Sequence, residues 1–389
     1  MQLKRFALAF QHLVAMFGAT VLVPLLTGLN VSVALFTSGL GTLIFHKCTQ
    51  GKVPVYLGSS FAFIAPIIVV RNQWGLAYAT GGIVVAGLVY VLMALVVRFF
   101  GVEKVTDLFP PVVAGPVIMV IGLTLAPTAQ DMASGNWFVA AFTILVAILA
   151  MTKAKGYFNL LPVLVGVGAG YLLSVVLGIV DFSAVVAAPW IQVPQFIAPR
   201  FSLPALAVIA PLAFVTVIEH IGDIKANSTV VDKDFIADPG LHRTLIGDGI
   251  ATSVAGLLGG PANTTYSENT GVLAMTKVYD PAILRITAVM AMALSFIGKF
   301  GAIISSIPTP VMGGISILLF GMIAAVGLRT LIENKVDLTK SSNLLIVSLI
   351  LVFGISGAVV TIGQLQLVGM SLAAVIGVIA NLFLNREKA

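Results

Sequence analysis

Long apolar runs alternate with short polar breaks along the whole chain. They fall at 6–27, 31–46, 55–70, 76–99, 109–128, 136–152, 158–180, 203–227, 242–259, 263–277, 281–303, 308–328, 342–358 and 365–385. Most approach the length a helix needs to cross a hydrocarbon core, so the pattern predicts fourteen transmembrane segments. Segments three and ten depart from it. Segment three carries Gly58, Ser59 and Ser60, and around segment ten the stretch 261–271, PANTTYSENTG, is polar and built of small residues. Gly259, Gly260, Pro261 and the run from Asn263 to Thr265 lower helix propensity. Both segments are therefore expected to be broken by short extended stretches. Irregular backbone at membrane depth persists only where it is buried in protein or lines a cavity. Glu268 lies in the same stretch, and a carboxylate at that depth is costly unless it faces a cavity or a partner. A substrate site built on a broken helix at Tyr266, Ser267, Glu268 and Asn269 follows.

Composition supports the membrane reading. Of 389 residues 59% are apolar and 9% charged, outside the range of soluble domains, and the chain reads as an all-α polytopic membrane protein. Neither a cleavable signal peptide nor a soluble domain is expected. The formal charge of +6 does not point to nucleic acid, because the bases sit singly or in pairs at the ends of apolar segments. With the N-terminus cytoplasmic and fourteen spans, 18 of the 21 Lys and Arg residues fall on the cytoplasmic side; Arg71, Arg200 and Lys299 do not. This is the positive-inside pattern, with both termini cytoplasmic. The single cysteine, Cys48, excludes an intrachain disulfide, and four scattered histidines offer no metal site, so no cofactor is expected.

The chain also repeats itself. Gly58-Ser59-Ser60-Phe61 in segment three answers Asn263-Thr264-Thr265-Tyr266 in segment ten, 205 positions on. Pro111 to Gly115, in segment five, answers Pro310 to Gly314 in segment twelve at an offset of 199. Gln11-His12 answers Glu219-His220 at 208. Halves of seven spans enter the membrane from opposite sides, which gives a 7+7 inverted repeat, and broken elements at matching places in inverted halves point to a midplane site. Segment eight supplies a further wall. Glu219 and Asp223 are four apart and share one helix face with Thr216. Two acids on one buried face do not both carry charge readily, which makes one an expected proton carrier; the alternative for Asp223 is a solvated helix end. His12 is either an interhelical histidine with a partner elsewhere or a residue orienting substrate and Glu219. Asp248, in segment nine, either pairs with a cation or joins the site. Phe61 and Tyr266 stand where helices break and are expected to present ring faces to a planar ligand, while the backbone amides at 58–60 and 267 face ligand oxygens.

The run from Tyr266 to Lys277, YSENTGVLAMTK, resembles the signature of the nucleobase–ascorbate transporter family: an acid or glutamine, then Asn-x-Gly, then Thr and a base. QHLVAMFGATVLVP at 11–24, YLGSSFAF at 56–63, Glu219-His220-Ile221-Gly222 and PGLHR at 239–243 are similar to the bacterial uracil permeases of that family. The likeness covers nearly the whole chain. It implies a core domain of 1–103 and 201–305 (segments 1–4 and 8–11) and a gate domain of 104–200 and 306–389 (segments 5–7 and 12–14). It further implies elevator-like motion between them, proton-driven uptake across the bacterial inner membrane, and dimerisation through the gate. By the same resemblance, Glu219 and Glu268 accept from the ring NH groups of a nucleobase, Phe61 and Ser267 offer amides to ring carbonyls, and Tyr266 and Ala19 line the pocket. Glu219, Asp223, His12 and Asp248 are the proton-coupling candidates. Asp223 and Asp248 depart from the uracil pattern, which usually has His and Asn there, and resemble the purine branch; that branch generally has Gln where Glu268 stands.

Uracil as substrate is thus the first expectation, and a purine such as xanthine or uric acid the alternative. An anion exchanger or channel of similar inverted architecture would want a neutral or cationic site, whereas this midplane is acidic. No HExxH metal motif, Ser–His arrangement or phosphate loop suggests an enzyme.

Overall fold

The computed structural model describes residues 2–102, 110–154, 161–362 and 365–385. The expected domain boundary at 103/104, the bases Lys104, Lys155, Arg386 and Lys388, and the start of segment seven lie outside them. In chain order the helices are α1 (Gln2–Thr27), α2 (Val31–Cys48), α3 (Ile64–Trp74), α4 (Leu76–Phe100), α5 (Pro111–Ser134), α6 (Trp137–Thr152), α7 (Pro162–Val176) and the short α8 (Ser183–Ala187). After these come α9 (Leu203–Ile209), α10 (Leu212–Val231), α11 (Leu241–Leu257), α12 (Ser267–Thr276), α13 (Pro281–Ser295), α14 (Gly298–Ser305), α15 (Thr309–Glu333), α16 (Ser341–Ile355) and α17 (Met370–Leu384). Their starts are written locally. Asn30, Asn136 and Asp280 cap α2, α6 and α13 by accepting from Val33, Val139 and Ala282 amides, and Pro111, Pro162 and Pro281 open α5, α7 and α13, where the missing N–H costs nothing.

Among the described residues six helical stretches are long and apolar enough to cross a bilayer, with shorter apolar helices besides. The exposed side chains are largely hydrophobic, as on α4, where Leu88, Leu92 and Phe99 all face outward. Such a surface suits lipid rather than water.

Segments three and ten are broken as expected. Strand β1 (Leu57–Ser59) leads through a 3₁₀ turn at Phe61–Phe63 into α3, and β2 (Asn263–Thr265) leads into α12. Three other breaks were not expected. Segment eight divides into α9 and α10 at Ala210-Pro211, where proline removes a helical hydrogen bond, and segment eleven divides into α13 and α14. Ahead of α17 the β-branched run Val359–Ile362 forms β3, which pairs antiparallel with β4 (Leu365–Val368).

Packing follows the inverted repeat. α4 packs on α11 and α13 on α2, which are equivalent pairs in the two halves; α6 with α7 mirrors α16 with α17, and α15 with α6 mirrors α16 with α5. The two long helices α5 and α15 pack on each other across the symmetry relation. Close approach is made by glycine. A Cβ on Gly87 would meet the backbone of Gly249 and Ser253, and a Cβ on Gly249 that of Gly87, so α4 and α11 cross backbone to backbone.

Candidate functional site

The site grows from the place where the two broken segments meet. β1 and β2 pair antiparallel, Leu57 opposite Thr265, Gly58 opposite Thr264 and Ser59 opposite Asn263. Ser60 N donates to Ala262 O (2.8 Å) and Tyr266 N to Tyr56 O (3.0 Å), extending the ladder by a bond at each end. Two-stranded sheets this short do not stand alone in water, and threonines from the flanking helices hold this one. Thr42 Oγ1 on α2 accepts from Leu57 N at 2.9 Å, and Thr252 Oγ1 on α11 accepts from Asn263 N at 3.2 Å. The same two helices are equivalent in the repeat. Asn263 also donates to Thr37 O at 3.2 Å, so the crossing is anchored on both sides.

The extended strands serve to aim two helix starts at one place. The first-turn amides of the 3₁₀ turn after Ser60 and of α12 after Tyr266 lie outside the helical ladder, and neither start has a side-chain cap. Helix α10 passes beside α12 and carries the acids. Glu219 and Asp223 are half-buried, and Ser267 and Glu268 keep solvent-accessible surface in a stretch otherwise buried from Pro261 to Tyr266. Glu219 and Asp223 stand one turn apart on α10, and Glu268 stands in the first turn of the adjacent α12. They are not equivalent. Asp223 accepts from Thr265 Oγ1 (2.6 Å) and Ser267 Oγ (2.8 Å), joining α10 to the crossing. It is therefore no solvated helix end. Glu219 and Glu268, by contrast, receive no hydrogen bond from another residue's side chain among the described residues; Glu268 meets its own backbone N–H, and both carboxylates keep acceptor capacity.

Asp248 is fully buried and its Oδ2 pairs with Nδ1 of the fully buried His220 at 2.9 Å. Of the two readings of Asp248, the structure places it against His220. Glu219 and His220, neighbours in sequence, thus point to different surroundings. His12 is buried and pairs with Asn269, whose Nδ2 lies 3.1 Å from His12 Nδ1 and donates to His12 O at 3.0 Å, tying α1 to α12. Tyr266 is also buried; its ring lies where a Cβ on Gly58 would be, and its hydroxyl donates to Ser59 O at 3.0 Å and accepts from Thr20 at 3.3 Å. Phe61 is half-buried, and Ala19 is buried one residue before Thr20 on α1. Thr216 is buried on α10 and bonds back to Leu212 O.

Sequence reasoning passed over Thr265, His220 and Asn269 as partners of Asp223, Asp248 and His12. Asn269 stood inside the signature run and His220 inside an internal match, so both were marked as unusual. Their partners, 257 and 28 positions away, left no local signal.

A model of the permease family matches residues 3–363. The chain belongs to this nucleobase–ascorbate transporter family. It is a multi-pass membrane protein. The uracil permease of Bacillus caldolyticus is 50% identical over 393 residues, covering 97% of this chain and 91% of that protein. The probable uracil permease of Pasteurella multocida (strain Pm70) is 48% identical over 99% of this chain and 94% of its own, and the uracil permease of Escherichia coli (strain K12) 42% identical over 97% and 90%. Among solved structures, the transmembrane domain of the cyanobacterial bicarbonate transporter BicA superposes with a TM-score of 0.65 at 16% identity, covering 97% of this chain and 96% of that one. The murine anion transporter Slc26a9 in its inward-facing state gives 0.71 at 10%, covering 99% and 68%. At these identities the likeness concerns the fold, an inverted repeat shared across transporters with different cargo.

Proposed function

We propose that this permease carries uracil together with a proton across the bacterial inner membrane. The observation that supports the reading is the pairing of unlike groups at the strand crossing. Glu219 and Glu268 offer carboxylate acceptors that no other described residue's side chain engages, and the helix starts after Ser60 and Tyr266 offer amide donors. Uracil is planar, nearly neutral, and alternates ring NH donors with C=O acceptors, so carboxylates serve the former and backbone amides the latter. Phe61 and Ser267 supply the amides, and Ala19 and Tyr266 shape the wall behind them. Tyr266 acts by filling the space above Gly58 rather than by stacking. Names of relatives across Bacillus, Pasteurella and Escherichia favour the pyrimidine over a purine.

The packing supports a division of labour. α1–α4 with α9–α14 form the core group holding the site, and α5–α7 with α15–α17 form the gate. The core slides against the gate as an elevator, with both termini cytoplasmic and the gate pairing two copies. Coupling follows from charge. The acids Glu219, Asp223 and Asp248, with His12 behind α12, hold the proton that lets the loaded core cross a low-dielectric barrier.

Competition in proteoliposomes tests the substrate. Unlabelled uracil should displace labelled uracil, whereas xanthine and uric acid should not. Displacement by xanthine at equal concentration would transfer the reading to the purine branch, which the acids at 223 and 248 resemble.

A further inference from the structure

Away from the crossing, a cavity of about 540 Å³ opens between the end of α4 and the start of α11. Its volume lies within the roughly 300–1,000 Å³ of small-molecule sites. Its floor is apolar, from Val97, Ile236, Leu241 and Ile246, and its rim carries Arg98, His242 and Arg243. The three basic side chains line the same cavity. Gly240 seats that ring: its φ of +101° turns the chain, and a Cβ there would strike the imidazole.

No carboxylate among the described residues pairs with either arginine. Asp238, in the adjoining loop, is engaged by Lys52, and Arg243 makes one long bond of 3.4 Å to Cys48 O. Two clustered cations that no described carboxylate pairs with attract an anion. The neighbouring surface says where that anion comes from. Leu95, one turn before Arg98, is exposed together with Leu88, Leu92 and Phe99 along the outer face of α4. A ligand reaching Arg98 from that side lies along a hydrocarbon-grade stripe.

We infer that this cavity binds the phosphate headgroup of an anionic phospholipid, with the phosphate between Arg98 and Arg243, its remaining polar atoms toward His242, and an acyl chain along Leu88, Leu92 and Leu95. The site is separate from the strand crossing and does not depend on the identity of the transported base.

The test uses the full-length chain purified in detergent, with thermal unfolding and native mass spectrometry as readouts. Phosphatidylglycerol should raise the unfolding midpoint and appear as a retained adduct, and phosphatidylcholine should do neither. The double variant Arg98→Gln/Arg243→Gln should bind phosphatidylglycerol roughly 30-fold more weakly, at about 1 kcal/mol per basic residue. Arg98→Glu, a change at an exposed position that leaves the Arg243 bond to Cys48 in place, should abolish the midpoint shift even if the double variant is poorly folded. Equal stabilisation by phosphatidylcholine, or an undiminished phosphatidylglycerol shift in Arg98→Glu, overturns the inference. Inorganic phosphate in lipid-free detergent should leave the midpoint unmoved; a shift of the same size would show a soluble anion to be the ligand and refute the lipid assignment.

Discussion

Glu219 and Asp223 share a helix face, yet one is held by two hydroxyls and the other by no side chain, and that difference separates their roles. An acceptor without a protein partner is where a ligand's donor gains most. Glu219→Gln and Glu268→Gln each replace a two-oxygen acceptor with a mixed donor and acceptor. Each is expected to cost one charge-assisted hydrogen bond, about 1.5–3 kcal/mol or ten- to hundredfold in uracil affinity, read by equilibrium binding to purified protein. Wild-type affinity in both variants would remove the two residues from the site. His220 and Asp248 answer to a different measurement. Asp248→Ala strands the imidazole Nδ1 in a fully buried place, and an unsatisfied buried group costs about 1–3 kcal/mol. A lowered unfolding midpoint, partly restored in Asp248→Asn, is the expected outcome, and unchanged stability in Asp248→Ala would show the pair to be idle.

The strand crossing is the element on which the site depends, and its tightest point is Gly58 under the Tyr266 ring. A methyl group there would overlap the ring's Cε2 and Cζ atoms. Gly58→Ala should therefore displace Tyr266, break its hydroxyl bonds to Ser59 and Thr20, and destabilise by about 1–3 kcal/mol, the usual range for overpacking. Because the two residues touch, their effects should not add. In Gly58→Ala/Tyr266→Leu the smaller side chain gives the methyl room, and a double-mutant cycle should show coupling of about 0.5–3 kcal/mol. Strict additivity would mean that the ring does not rest on Gly58.

At the scale of the whole molecule, the proposed division into core and gate puts Gly18 on α1 and Val163 on α7 on opposite sides of a seam, where a Cβ on Gly18 would touch the valine. If the core slides past the gate, a covalent link across that seam must stop it. Gly18→Cys/Val163→Cys, made in a chain whose native cysteine Cys48 is replaced by Ala, should lose uptake on oxidation and regain it on reduction. Full activity in the crosslinked protein would exclude sliding at this seam. The driving ion is tested separately. With a proton as co-substrate, uptake into vesicles should rise as external pH falls, because the inward proton gradient grows, and should collapse with a protonophore. A sodium requirement with no pH response would contradict proton coupling.

Hydropathy alone determined that the chain crosses a membrane repeatedly, because twenty or so consecutive apolar residues have no other stable environment. The break at Pro261 to Tyr266 was equally legible, since Gly, Pro, Asn and Thr act on their own backbone. So was the inverted repeat, which leaves matching residues near a constant offset. The breaks at Ala210-Pro211 and before Gly298 lay inside long, predominantly apolar runs, where hydropathy cannot see a kink; of the hairpin, β4 fell inside segment fourteen because Leu365–Val368 is mostly apolar, while β3 lay in the gap before it. Partnership lay beyond reach for the same kind of reason. That Asp223 bonds Thr265 and Ser267, that Asp248 meets His220, and that His12 meets Asn269 depend on which faces of distant helices are brought together. Residue type says what a side chain can bond; only the tertiary structure decides which group reaches it, because the packing of the other helices sets those distances.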